Sequence, residues 1–231
     1  MAGGERKQRR GGESPFWISY SDLMTALMAL FLTALTAALL SVTDDIAVVA
    51  DQKQLREQQI DDFMADIKKA AERFPGVTVR GRVVDFGDRA RFATDSDRVD
   101  AAQSALLRGV VGQMLTLARN PVAEKWLKRI VVEGYADPRG GYLYNLDLSL
   151  RRSERVLCVL LAPEGLSEAD QALTRKLFRV SGASFNALKA SDEASRRIEL
   201  RLEFLEHGET PPERADAASA TIEPVCPLER R

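Results

Sequence analysis

Residues 15–43, PFWISYSDLMTALMALFLTALTAALLSVT, constrain this chain more than any other stretch. From Phe16 to Val42 they are apolar apart from one charge, Asp22. About 20 apolar helical residues cross the ~30 Å hydrocarbon core of a bilayer, so the segment is long enough to span one. A secretory signal has a shorter apolar region and ends at a small-residue cleavage site, so the reading is an uncleaved signal-anchor helix. Arg6, Lys7, Arg9 and Arg10 precede it, and Asp44 and Asp45 follow it. The positive-inside rule then puts the N-terminus in the cytoplasm and the rest of the chain outside, which in a bacterium is the periplasm. Phe16, Trp17 and Tyr20 read as an interfacial aromatic belt, and Pro15 suits the first helical turn.

Asp22 is costly in that setting. A carboxylate within a spanning helix costs about 2.5 to 3.5 kcal/mol on insertion scales. A low-dielectric surrounding favours the neutral acid, which lets such a side chain load and release a proton. Moving one charge through 100 mV is worth about 2.3 kcal/mol, comparable to that cost, so a membrane potential could drive the cycle. The competing reading is a carboxylate snorkelling into the headgroups from the helix end. Asp22, Thr25, Ala26, Ala29, Thr33, Thr36 and Ala37 recur at steps of three and four and share one small, weakly polar face with Tyr20 nearby. Small faces let membrane helices approach closely, so this one is expected to pack against a partner or its own copy.

The remaining length holds one modest globular domain. Thirty-three basic and 34 acidic residues leave a net charge of −1, which points away from nucleic acid. One histidine, His207, and two cysteines, Cys158 and Cys226, leave no metal-ligand spacing and no His-based catalytic cluster. Neither cofactor nor metal is expected. In an oxidising compartment Cys158 and Cys226 could form a disulfide; two free thiols are the alternative, since distance is not readable from spacing.

In chain order, residues 1–14 form a basic, Gly-rich tail and 15–43 the transmembrane helix. Residues 44–76 form a helical linker or plug-like segment with Ile46, Val49, Leu55, Ile60, Phe63, Ile67 and Ala70 in its pattern, closed at Pro75-Gly76. The soluble domain is expected over 77–206 and a Pro/Ala/Glu-rich tail over 207–231. Within the domain, VTVRGRVVDF is β-rich, and Val99, Ala102, Leu106, Val110, Met114 and Leu117 give a helix over about 97–119. Ile130–Gly134 reads as a buried strand, and a turn-rich loop, YADPRGGYLYN, leads to a helix over about 148–161. A helix capped by Ser167 spans about 166–178, before a short strand at 179–182. RIELRLEF, 197–204, alternates as a half-buried strand, with Ile198, Leu200, Leu202 and Phe204 on one face. The class is α+β: one transmembrane helix, then an α/β sandwich with helices on one face of a small mixed sheet.

The loop from Gly134 to Ser149 concentrates Asp137, Arg139, Gly140, Gly141, Tyr144 and Asn145, with Arg152 one turn further on. An Asp and an Arg converging there could clamp a zwitterion, carboxylate on ammonium and guanidinium on carboxylate. On composition alone, an Asp–Arg ion pair that simply staples the loop is the favoured reading.

VEGYADPRGGYLYNLDLSLRRSERV resembles the peptidoglycan-binding signature of OmpA-like domains through Gly134, Asp137, Asn145, Leu148, Ser149 and Arg152. Phe92 and Arg196-Arg197 also fit the pattern, over roughly residues 77 to 205. The resemblance implies a wall-binding domain in which Asp137 and Arg152, with Tyr144, Asn145 and Leu148, receive the diaminopimelate of a peptidoglycan stem peptide. The usual His-Thr before the Asp is here Tyr135-Ala136. Separately, Tyr20-Ser21-Asp22-Leu23-Met24-Thr25-Ala26 resembles the segment around the ion-carrying Asp of MotB-type stator subunits. That likeness implies a homodimer inside a ring of a MotA-like multi-pass subunit, in the bacterial inner membrane. Asp22 would carry H+, or Na+, along the face of Tyr20, Thr25, Ala26 and Ala29. Within that superfamily, PFWISYSDLMTALM is similar to the membrane-anchor subunits of Zorya anti-phage defence motors. A flagellar stator subunit and a passive wall tether are the alternatives. Nothing in the sequence makes the chain an enzyme.

Overall fold

The computed structural model describes residues 16–163, 165–206, 208–210 and 226–230, and of residues 16–19, 43–45 and 47 the backbone alone. The expected basic tail 1–14, Pro15, His207 and most of the tail from 207 onward lie outside the described residues. Two compact units divide the chain, Met1–Gln54 and Leu55–Arg231.

Helix α1 runs Phe16–Ala71. In the first unit it carries one candidate membrane span among the described residues, Tyr20–Val42, with its side chains turned outward. Twenty-three residues at about 1.5 Å each reach across a hydrocarbon core. The threonines bond back to their own helix: Thr25 Oγ1 donates to the carbonyls of Ser21 and Asp22 at 3.0 and 2.9 Å, and Thr36 Oγ1 to Leu32 at 2.7 Å. Such back-bonding satisfies hydroxyls that would otherwise be costly away from water.

The second unit is built on a five-stranded sheet. Its strands are β1 (Thr78–Arg80), β2 (Val83–Asp85), β3 (Leu127–Gly134), β4 (Phe178–Gly182) and β5 (Ile198–Phe204), in the order β1-β2-β5-β3-β4. β3 and β4 pair in parallel and the other neighbours antiparallel. Leu127, Ile130 and Val132 on β3 meet Leu200, Leu202 and Phe204 on the buried face, whereas Arg129–Glu203 and Glu133–Arg201 pair on the other. Period-2 alternation therefore gives the sheet one apolar and one charged face.

Helices α2 (Ala101–Leu117), α4 (Tyr142–Leu161) and α5 (Glu168–Leu177), with the short α3 (Pro121–Trp126) and α6 (Asp192–Ser195), complete the fold. Their starts are chemically encoded. Asp100 and Gln103 form a reciprocal capping box on α2, and Ser167 caps α5 by accepting from Asp170 N. The core joins Leu107, Val110, Val111 and Met114 of α2 and Val156 and Leu160 of α4 to the sheet.

Three features depart from the sequence reading. The stripe assigned to a linker ending at Pro75-Gly76 divides. Ile46, Val49 and Leu55 are exposed, whereas Ile60, Phe63, Met64, Ile67 and Ala71 enter the core of the second unit. Phe63 meets Phe204 edge-to-face at 6.1 Å. From Ile60 onward, the apolar positions read as part of a helical linker serve burial against the sheet, and Pro75-Gly76 is a turn within the unit. Second, α4 begins at Tyr142 rather than near Leu148; its cap is Gly141, which makes no side-chain cap bond, so the Gly/Tyr/Asn-rich start reads as loop. Third, the polar face of β5 is partly closed. Glu199 and Arg197 are both buried, with Arg197 Nε donating to Glu199 Oε1 at 2.7 Å.

Candidate functional site

The C-terminal ends of β3 and β4 and the first turns of α4 position the site. Gly134 pairs with Gly182 across these strands. A Cβ at Gly134 would stand 2.0 Å from the Ser149 carbonyl oxygen, and one at Gly182 would stand 2.7 Å from Ser149 Oγ. The absence of both side chains lets α4 lie directly on the strand ends. Ser153, after Arg152, fits the same contact and donates to the Ser181 carbonyl at 2.7 Å.

Arg152 is fully buried. Nε donates to Ser96 O at 2.9 Å, Nη1 to Tyr135 O at 2.8 Å and Nη2 to Ala93 O at 3.1 Å. The Phe92 ring lies 5.0 Å from the guanidinium carbon, a cation–π contact. Burial lowers its pKa to about 10, against the nearby Asp137 charge, and it remains a cation at neutral pH.

Asp137, just past β3, is also buried. Its Oδ2 accepts from Arg139 Nη2 at 2.9 Å and Arg196 Nη1 at 3.0 Å, and its Oδ1 accepts from the Arg139 backbone N at 3.2 Å. Burial alone would raise this acid; hydrogen bonds from Arg139 and Arg196 outweigh it and hold the carboxyl below the ordinary range. Asn145 Nδ2 donates to the Arg139 carbonyl at 2.8 Å, which fixes the turn through Gly140. Gly140 has φ +93°, a left-handed conformation that favours glycine.

A cavity of about 310 Å³ opens here, lined by Thr94, Asp95, Asp137, Arg139, Gly140, Tyr144, Asn145, Leu148 and Arg152. The five residues expected to receive a ligand, Asp137, Tyr144, Asn145, Leu148 and Arg152, all reach it. The loop before α2 supplies Thr94 and Asp95, which sequence reasoning missed; the Tyr144 hydroxyl donates to Asp95. Asp95 sits at φ +56°, a conformation without a local sequence signature beyond Asp itself. The Asp–Arg staple weighed for this loop is present as Asp137–Arg139, and Arg196, which the sequence marks only as part of the motif, adds a second cation. The cavity thus offers a buried anion beside a buried cation, a pairing suited to a zwitterion. Cys158 and Cys226 are bonded to each other. Asp22, Tyr20, Thr25, Ala26 and Ala29 belong to the first unit.

The chain is 40% identical over 208 residues to the Zorya protein ZorB of Escherichia coli O139:H28, covering 86% of this chain and 85% of that one. It belongs to the Zorya protein ZorB family. Residues 3–41 match the family model described as membrane MotB of the proton-channel complex MotA/MotB, and residues 91–198 match the OmpA family. This member of the ZorB family therefore joins a MotB-type membrane segment to an OmpA-type domain, the construction of a stator that anchors to the wall, and none of these families is enzymatic. Similar solved structures include the periplasmic domain of Helicobacter pylori MotB, at 15% identity and TM-score 0.41, covering 58% of this chain and 83% of that one. The cell wall anchor of the type VI secretion system from Pseudomonas aeruginosa gives 24% identity and TM-score 0.40, covering 61% and 96%.

Proposed function

We propose that this chain is the wall-anchored membrane subunit of a proton-driven rotary motor in Zorya-type anti-phage defence. The observation that carries the reading is the 40% identity to a Zorya ZorB protein along 86% of the chain. The N-terminus is cytoplasmic and the sheet domain periplasmic, in agreement with the basic residues before the helix and the acidic ones after it. Two copies of the helix stand inside a ring of a MotA-like multi-pass subunit. Asp22 takes up a proton from outside and releases it inside as the ring turns. Thr25, Ala26 and Ala29 keep that helix face small enough for close approach.

The cavity around Asp137 and Arg152 takes the zwitterionic end of a peptidoglycan stem peptide, the ammonium on Asp137 and the carboxylate toward Arg152. Held on the wall, the subunit transmits force instead of turning with the ring.

The test is phage plating with the native neighbouring genes, for wild type and Asp22→Asn, with swimming scored in the same strains. Loss of protection with swimming unchanged is expected. Retained protection would leave Asp22 structural and the chain a passive tether. Dependence of swimming rather than protection on Asp22 would assign a flagellar stator.

A further inference from the structure

Two cations share Asp137, and they are held very differently. Arg196 is built in: its side chain is 12% exposed and its Nε donates to the Phe92 carbonyl at 2.9 Å. The Arg139 side chain is 56% exposed. Besides Asp137, it reaches Asp192 Oδ2 from Nε at 3.4 Å and Thr94 Oγ1 from Nη2 at 3.4 Å. It lines the cavity and covers Oδ2, where an incoming ammonium would bind. An exposed ion pair is weak and exchangeable, whereas a hydrogen-bonded buried one is not.

From this geometry we infer that Arg139 is a displaceable latch on the binding cavity, resting on Asp137 when the site is empty and moving to Asp192 when a ligand ammonium takes its place. The inference rests on the wall-binding reading and adds a specificity-determining residue to it. Because Arg196 stays on Oδ2, the latch can leave Asp137 without stranding a buried carboxylate. It also sets a threshold. A ligand that offers only a carboxylate leaves Arg139 in place. A zwitterionic amino-acid end replaces one cation by another and gains the second contact at Arg152. The partner of the displaced guanidinium is already at hand, because Asp192 is half exposed and within ion-pair distance.

The experiment is calorimetric titration of the detergent-solubilised full-length chain with meso-diaminopimelate, for wild type, Arg139→Ala, Asp192→Asn and the double variant. Arg139→Ala is expected to bind about threefold tighter, the scale of a half-exposed ion pair. Asp192→Asn should bind more weakly, and that effect should vanish once Arg139 is alanine. Equal or weaker binding by Arg139→Ala, with wild type binding normally, overturns the latch and leaves the wall-binding reading intact. A loss on Asp192→Asn that persists without Arg139 overturns the role given to Asp192. No binding by wild type or Arg139→Ala overturns the wall-binding reading and the latch together.

Discussion

Arg152 Nη1 donates to the backbone carbonyl of Tyr135 at 2.8 Å. Through that bond α4 fixes the end of the segment that carries Asp137. A guanidinium has five N–H donors, and three here hold carbonyls of two separate segments, Ala93 and Ser96 before α2 and Tyr135 after β3. The residue that the motif assigns to ligand is therefore also the post around which the cavity is built.

Arg152→Ala should accordingly cost stability as well as binding. It empties a fully buried position and strips donors from three carbonyls. The expected loss is about 3 kcal/mol or more, read from denaturant unfolding of the full-length chain. Arg152→Lys should recover little, because one ammonium does not reproduce a fork that spans two segments. Unchanged unfolding in Arg152→Ala would restrict the residue to ligand contact.

Acid should loosen the domain through two carboxyls. Asp137 is held low by Arg139 and Arg196 against its burial, and Glu199 by Arg197 and Lys189 against its own. A depressed folded pKa means that the unfolded state binds protons first as pH falls. Their stabilisation is thus complete well above the ordinary carboxylate value of about 4, erodes below it, and is gone beneath each lowered folded value. Acid titrations of wild type against Asp137→Asn and Glu199→Gln should show a shallower decline in both variants. Superimposable declines would show that neither carboxyl contributes.

The end of α1 should behave as part of the sheet domain. Phe63 is buried and lies edge-to-face on Phe204 at 6.1 Å. Phe63→Ala should cost about 3 to 5 kcal/mol. Leu55→Ala, at an exposed position, should change stability by less than about 0.5 kcal/mol. Near-equal unfolding midpoints for the two variants would return this segment to the status of a linker.

The Cys158–Cys226 bond joins positions 68 residues apart. Chain-entropy arguments assign a loop of that size about 4 kcal/mol. A thiol reductant should therefore lower the melting temperature of wild type. Cys158→Ser, Cys226→Ser and the double variant should share one lower value that the reductant leaves unchanged. A reductant-insensitive wild type would indicate that the loop adds nothing.

Much of the architecture follows from order within a single window. The membrane segment is legible from length and charge. RIELRLEF announces a strand by alternation, and Ser167 announces a helix start by its own side chain. The expected strands of the sheet domain all appear, β3 longer at its front because Lys128 and Arg129 turn away from the core and resemble loop residues. These features are decided by neighbours one turn or one pleat apart, which a linear pattern records.

Folding alone decided the rest. Whether the stripe from Ile60 to Ala71 would face a bilayer, a second helix or a sheet depended on what lay opposite, and Phe204 is 141 positions beyond Phe63 in the chain. The cations on Asp137 come from two and 59 positions away, and the cysteines close across 68. Hydrophobic period and turn chemistry carry local preference, but a contact across such a separation exists only once the chain has paid its closure entropy. The packing of α4 onto Gly134 and Gly182 is likewise a fit between backbones that no single window of the sequence contains.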